Sequence, residues 1–297
     1  MFLKIEDMIQ PSELIINPDG TIFHLHLKPE DIADTILMVG DLNRVDMIAS
    51  FFDKIDCKVQ NREFITVTGW YKNKRVSIVS TGIGTDNIDI VVTELDALVN
   101  VDFQTREIKA DKKSLNLIRI GTSGSLQGNI PINAYVVSEK SIGFDGLLNF
   151  YAGRNAVSDL PFEKAFMEHM NWDELLAKPY VIDGSQKLID LFSGEKTVGG
   201  VNISAPGFYG PQGRVVRLPL VDPDLNDKIE AFEFEGRKIT NYEMESSAIY
   251  GLSKLLGHEA LTICLIIANR VTKEANANYY PDMKLLAKYI LDQIAEI

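Results

Sequence analysis

Four short stretches of this chain combine residue types that chemistry needs. The first is Val39-Gly40-Asp41-Leu42-Asn43-Arg44-Val45, an apolar run that meets a glycine and then a helix start. Backbone N–H groups at such a turn can approach an anion, and the helix N-terminus adds partial positive charge. Arg44 can supply a charge-assisted bond to a phosphate oxygen. In isolation, a structural turn with a salt-bridged surface arginine explains this stretch better. The second is Arg119-Ile120-Gly121-Thr122-Ser123-Gly124. A charge in an apolar strand is costly without a partner, so Arg119 faces either an anion or a buried carboxylate, with equal weight. The small hydroxyl-bearing run after it, Thr122 included, fits phosphate or sugar hydroxyls.

The third stretch is Asn241-Tyr242-Glu243-Met244-Glu245-Ser246-Ser247. Glu243 and Glu245 do not share a helix face, but at a strand-to-helix junction both can reach one site. A carboxylate accepts two hydrogen bonds from adjacent hydroxyls, which suits a ribose. Acids at a helix start also stabilise the macrodipole, and by itself that plainer reading is preferred. The fourth is Gly207-Phe208-Tyr209-Gly210-Pro211-Gln212-Gly213-Arg214. Phe208 offers a stacking face, and the Gln212 amide presents a donor and an acceptor side by side, complementary to the N3–H and carbonyl edge of uracil. Arg214 can hold an oxygen on which negative charge develops. Composition alone makes this stretch a loop; the set of aromatic, glutamine and arginine is what points further.

Short apolar runs alternating with amphipathic stretches must position these groups, which predicts an α/β fold: a mostly buried sheet flanked by helices. Strands are expected at Ile36 to Val39, Phe64 to Trp70, Arg75 to Ser80, Leu117 to Ile120, Ala134 to Ser138, Thr197 to Ser204 and Leu261 to Ile267. Helices are expected after Asp41, over Ile88 to Val99, near Phe162 to Met170, over Met244 to Leu256 and over Leu285 to Ile294. Residues Val101 to Ser114 read as a polar surface excursion, and Ser141 to Tyr180 is weakly periodic. No repeat or linker divides the chain, so one domain over 1–297 is expected, with 1–20 as an N-terminal extension.

The 42 acidic and 30 basic residues leave a net charge of −12, with no basic excess to neutralise nucleic acid or an anionic membrane. An anionic ligand would need a local cluster of arginines. The acidity itself is that of an ordinary self-repelling surface. Cys57 and Cys264 lie far apart without metal-type spacing, and Cys264 sits in an apolar run as a buried thiol. Met1 to Gln10 has no secretory character, and no run approaches the roughly 18 apolar residues of a membrane span. The expected location is the cytoplasm.

In this order, the four stretches resemble the nucleoside phosphorylase superfamily of the trimeric and hexameric type, from about Phe23 to the C-terminus. That resemblance implies a single-domain, three-layer fold with a central mixed, partly barrel-like sheet. Within the superfamily, Phe208 to Arg214 is most similar to the uridine-directed branch, and Asn241 to Ser246 matches the family's ribose motif without a gap. The resemblance implies that Gly40, Arg44, Arg119 and Thr122 bind phosphate, joined by Arg62 from a neighbouring subunit. It implies that His24 reaches across a dimer to the ribose 5′-hydroxyl, and that Glu243, Met244 and Glu245 lie under the ribose beside Thr122. Phe208, Gln212 and Arg214, with Ile266, Ile267 and Arg270 as a wall, would hold the base. Arg119, Gln212, Arg214 and Glu245 carry the catalytic roles. A homodimer is then the minimal active unit, and a hexamer the usual assembly.

Purine-directed relatives carry an aspartate in the loop matching Ile267-Ala268-Asn269-Arg270, and this chain has none there. The implied reaction is phosphorolysis of uridine to uracil and ribose 1-phosphate, with inorganic phosphate as co-substrate and no metal or organic cofactor. Leu42 replaces the family's proline, and Thr85-Asp86-Asn87 replaces its Gly-Pro-Ser. Some relatives hold a monovalent cation near that point and the glutamate matching Glu63; the altered residues leave this ligand open. The rival readings are a nucleosidase of the same fold, a purine-directed phosphorylase and a nucleoside-binding protein without turnover.

Overall fold

The computed structural model describes residues 8–296 and places thirteen strands and eight helices along them. The first are β1 (Thr35–Val39), α1 (Leu42–Ala49), β2 (Lys54–Asn61), β3 (Phe64–Tyr71), β4 (Lys74–Ser80) and α2 (Thr85–Asn100). A small hairpin, β5 (Val101–Asp102) and β6 (Glu107–Ile108), precedes β7 (Asn116–Ser125) and β8 (Tyr135–Gly143). Then come α3 (Arg154–Val157), α4 (Leu160–Met170), β9 (Tyr180–Asp183), α5 (Gln186–Phe192) and β10 (Thr197–Ser204). The last are α6 (Leu225–Ala231), β11 (Glu233–Phe234), β12 (Arg237–Glu243), α7 (Ser246–Leu256), β13 (Glu259–Asn269) and α8 (Tyr280–Ala295).

Eleven strands join one mixed sheet. β7 pairs with β13 in parallel, β13 with β8 antiparallel, β8 with β10 and β10 with β12 in parallel. β12 then returns to β7, Asn241 opposite Ser125 and Tyr242 opposite Gly124, which closes a five-strand ring. From β7 the sheet continues through β1, β4 and β3 to the edge strand β2. Register shifts at Gly200/Val201 and Ile266/Ala268 are bulges, which supply the bending that closure needs. The sheet flanked by helices is the α/β architecture expected from the alternating runs, and its mixed, partly barrel-like form is the one the family resemblance implies.

Strand periodicity sorts the core into layers. Leu37, Val39, Ile118 and Ile120 pack with Val45 of α1, Leu188 of α5 and Met283 of α8. Ile36, Met38 and Leu117 face the other way, onto Leu95 of α2 and Ile249 of α7. A third cluster sets Ile203 and Tyr242 against Phe166 of α4 and Ile229 of α6. Each such buried side chain contributes roughly 1.5–3 kcal/mol relative to exposure. Because both sheet faces are covered, β1 reads as a nearly continuous apolar run, as does Leu117 to Ile120 of β7 apart from Arg119.

Several elements differ from expectation. β2 was not foreseen, because Ile55, Cys57 and Val59 are set singly between charged or polar residues and none of its residues is fully buried. It is an edge strand, where lysines discourage pairing with another chain. Gly121 to Gly124 is not a loop after a strand: β7 runs on through Ser125 and carries these residues inside the sheet. The helix expected from Met244 starts at Ser246, and the C-terminal helix starts five residues earlier than Leu285, at Tyr280. Residues 101–114 hold the β5–β6 hairpin, whose Arg106 donates to the carbonyls of Ile9 (2.7 Å), Gln10 (3.2 Å) and Leu14. Residues 1–7 of the expected extension lie outside the described residues. Among those described, no helix is long and apolar enough to cross a membrane.

Candidate active site

A cavity of about 620 Å³ opens at the carboxyl ends of β1, β7, β12 and β13, where open parallel sheets place their ligands. At one end stand two arginines. Arg44 projects from α1, whose first turn is capped by the Asp41 side chain accepting from Asn43 N at 2.9 Å. Its guanidinium makes only long contacts, 3.5 Å to Ile120 O and 3.5 Å to Thr122 Oγ1, and lies 5.9 Å from the Tyr279 ring. Arg119 projects from β7, is buried, and donates from Nη2 to Glu245 Oε2. Its Nε and Nη1 are buried without a hydrogen-bond acceptor, although Glu243 Oε2 lies 3.7 Å from Nε. Unmade bonds of this kind cost about 1–3 kcal/mol each, so these donors are available to a partner from outside the fold. Burial works against the Arg119 charge, but Glu245 and Glu243 outweigh it and hold its pKa above the ordinary arginine value.

Gly121 is what lets Arg119 lie there. Residues 119 and 121 share a face of β7, and a Cβ at 121 would overlap the guanidinium and come within 2.9 Å of Cys264 Sγ. Gly40 is similarly close to its surroundings: a Cβ there would meet Gly82 O at 3.2 Å.

The two carboxylates have separate structural duties. Glu243 ends β12 and accepts from Asn202 Nδ2 (2.8 Å), Ser204 Oγ (2.5 Å), Glu245 N (2.9 Å) and Ser246 N (2.9 Å). It therefore caps buried N–H groups at the start of α7 that have no partner within the helix. Burial raises its pKa, with the Arg119 charge opposing. Glu245 accepts from Gly84 N at 2.9 Å through Oε1, and from Arg119 and Met244 N (3.2 Å) through Oε2. That leaves it acceptor capacity toward the cavity, which Met244 also lines.

At the other end, Gln212 is buried in a short 3₁₀ turn and accepts from Arg214 Nη1 at 2.6 Å through Oε1. Arg214 lies over the Phe208 ring at 3.8 Å and donates to Phe208 O at 2.5 Å. Burial and the nearby Arg270 lower the Arg214 pKa to about 10. Positive charge is thus in excess in this corner, and a ligand that becomes negative there is stabilised. Arg270 does not line the cavity; its Nη2 braces the turn through Gln212 O at 3.2 Å and Gly213 O at 3.5 Å.

Of the residues singled out from the sequence, the cavity brings together Gly40, Arg44, Arg119, Thr122, Phe208, Gln212, Arg214, Glu243, Met244, Glu245 and Ile267. Ile266 lies instead in a core cluster with Ile130 and Val136, because a bulge turns the strand between Ile266 and Ala268. His24 and Arg62 are outside the chain's own cavity. Sequence reasoning passed over Tyr242 and Tyr279, which also line it. The Tyr242 hydroxyl is buried without a partner, and burial raises its pKa. A tyrosine in an apolar strand looks like any core residue, so nothing in the sequence marked it. A neighbouring cavity of about 660 Å³ shares the Gly210-Pro211 turn, but its walls are chiefly apolar, Phe144, Trp172 and Leu220 among them.

Comparison with known proteins agrees with this geometry. The family model described as the phosphorylase superfamily matches residues 34–291. A uridine phosphorylase of Thermococcus kodakarensis is 29% identical over 286 residues, covering 94% of this chain and 88% of that protein. A DeoD-type purine nucleoside phosphorylase of Listeria welshimeri is 29% identical over 252 residues, covering 84% and 88%. Among solved structures, a Trypanosoma brucei nucleoside phosphorylase described as showing uridine phosphorylase activity aligns with a TM-score of 0.86 and 29% identity. It covers 96% of this chain and 100% of that one. A Phytophthora capsici uridine phosphorylase shares the fold at a TM-score of 0.66 and 23% identity, covering 95% and 96%. A closed-ring α/β fold, two arginines with a carboxylate at one cavity end and an unbroken family match lead to one conclusion: the chain belongs to the phosphorylase superfamily.

Proposed function

We propose that this chain catalyses the phosphorolysis of uridine to uracil and ribose 1-phosphate. The observation that carries the proposal is Arg119, buried with unpartnered donors at one end of a cavity whose other end holds Gln212 and Arg214. Inorganic phosphate is already a nucleophile at neutral pH, so the task is positioning, which Gly40, Arg44, Arg119 and Thr122 perform. Glu245 and Met244 hold the ribose while its anomeric carbon gains oxocarbenium character. Glu243 acts from behind, fixing the start of α7 and facing Arg119. Gln212 and Arg214, against Phe208 and Ile267, stabilise the charge that moves onto uracil without transferring a proton.

The uridine preference is supported by two relatives of 29% identity whose descriptions name that activity. It is supported also by Asn269, which occupies the loop where purine-directed relatives place an acid. Its amide nitrogen donates to Gln127 O and Ile130 O, both at 3.0 Å, and its oxygen accepts from Val271 N at 2.9 Å. That side chain is committed to the loop and offers no proton to a purine.

Arg62 and His24, which do not line their own cavity, serve the site of a neighbouring subunit. The active unit is then a homodimer, with a hexamer built from three of them. Glu63 and Asn87 both border Gly82; a cation held there would be monovalent, because a single carboxylate beside an amide supplies too few hard oxygens for a divalent metal. The substrate reading is tested by a phosphate-dependent assay across uridine, thymidine, cytidine and inosine. Uridine is expected to be cleaved fastest; rapid inosine cleavage would overturn the base assignment.

A further inference from the structure

Glu94 lies on α2, buried, and its carboxylate is spent on one three-residue turn. It accepts from Leu25 N at 2.8 Å, from His24 N at 3.0 and 3.1 Å, and faces His24 Nδ1 at 2.6 Å. A carboxylate that takes two backbone N–H groups is an acceptor, so the ring nitrogen beside it must be the donor. His24 therefore carries its proton on Nδ1. Its Nε2 makes no hydrogen bond among the described residues, and the side chain is 29% exposed.

The turn is anchored from a second side. Asn61, at the end of β2, donates from Nδ2 to His24 O at 2.8 Å and Phe23 O at 3.4 Å. The next residue, Arg62, is held at a φ of +52°, a conformation uncommon for a residue with a side chain. Its guanidinium lies 5.2 Å from the Phe23 ring, which stands edge-on to the His24 imidazole at 4.8 Å. Two elements distant in sequence thus bring an imidazole and a guanidinium together around Phe23, outside the lining of their own cavity. If the turn needed holding alone, its two backbone N–H groups would suffice. The bond to Nδ1 has a different consequence: it sets which nitrogen of the ring is left free.

We propose that Glu94 is a positioning residue that locks His24 in the Nδ1–H tautomer, presenting Nε2 to the 5′-hydroxyl of a nucleoside bound by a neighbouring subunit. This rests on the assignment of His24 to a neighbour's site made above. With Nδ1 protonated, the neutral ring offers an acceptor lone pair to a hydroxyl in one orientation. Without Glu94 the ring is free to rotate and to exchange tautomers, and that geometry is lost.

The test compares kcat/KM for uridine with that for 5′-deoxyuridine in wild type, His24→Ala, Glu94→Ala, Glu94→Gln and the double variant Glu94→Ala/His24→Ala. The ratio of the two substrates should fall about tenfold in His24→Ala and in Glu94→Ala, each mainly through uridine. The double variant should be no worse than either. Glu94→Gln keeps the shape and should fall between, which guards against a folding defect in Glu94→Ala. Long-range nitrogen-15 NMR of the four histidines, with His24 assigned by its loss in His24→Ala, should show Nδ1–H in wild type and a tautomer mixture in Glu94→Gln. Equal losses on both substrates in both Glu94 variants, with the His24 tautomer unchanged, would overturn the role of Glu94. An unchanged ratio in His24→Ala, with uridine still cleaved, would overturn the assignment of His24 itself.

Discussion

Arg119 and Arg214 stand at opposite ends of one cavity, and their surroundings differ. Arg119 is held by Glu245 and faces Glu243, so its own charge is secure while two of its nitrogens stay free. Its role was half legible: a charge inside an apolar strand announces a partner, but the sequence left anion and carboxylate equal, and the structure supplies the carboxylates while leaving donors spare. Tyr242 and Tyr279 were not legible, since only position, not residue type, separates a cavity-lining tyrosine from a core one. Among the described residues Arg214 has no carboxylate within ion-pair distance, and it has a neighbour of like charge, Arg270. Arg214→Ala should lower kcat/KM for uridine by roughly 10²–10³-fold, about 2.7–4 kcal/mol of barrier, with little change in Tm because the residue is half-exposed. A loss of Tm as large as that of a core substitution would contradict a catalytic role. Its pKa also predicts a pH limit. The folded value is depressed to about 10, so activity that needs the charge should decline as pH rises through about 10. Between that value and the ordinary arginine pKa the native state binds fewer protons than the unfolded one. This group's contribution to stability therefore rises over the same window, so an activity loss there that tracks unfolding would contradict the assignment.

At the scale of elements, the site depends on β7 being a strand throughout. The run Gly121-Thr122-Ser123-Gly124 looks like a loop because glycine and hydroxyl residues usually are one. Here small residues are required by crowding, since β7 pairs with β1, β13 and β12 while carrying Arg119 on the same face as position 121. Gly121→Ala should push the guanidinium aside and lower kcat/KM by about 10²-fold, the usual cost of misplacing a reacting group by an ångström. The apparent KM for phosphate should rise more than that for uridine; an effect confined to uridine would show that Arg119 does not meet the anion. The charges of β2 hid an edge strand for the reverse reason: Ile55, Cys57 and Val59 do alternate with Lys54, Asp56 and Lys58, but the apolar side is short and only half-buried at Cys57 and Val59, so its period-two mark is weak beside that of the core strands.

Across the whole molecule, the layered α/β design followed from the sequence because buried strands and amphipathic helices leave strong periodic marks. Closure of the ring did not, since it depends on β12 meeting β7 through Asn241 and Tyr242, a long-range pairing no local pattern encodes. The site also extends beyond one chain if His24 and Arg62 serve a neighbour. Arg62→Ala and Arg119→Ala should each be nearly inactive, while their mixed oligomer should regain about a quarter of the wild-type sites. In a mixed pair, one cavity receives both defects and the other none. Failure of the mixture to regain activity, with mixed oligomers shown to form, would place Arg62 outside the reaction. The claim on which everything else stands is that phosphate, not water, is the nucleophile. Uracil release from uridine, measured in phosphate-free buffer and again with phosphate added, addresses it directly. Release that requires phosphate and yields ribose 1-phosphate in equal amount is predicted; release at the same rate without phosphate, yielding free ribose, would contradict it.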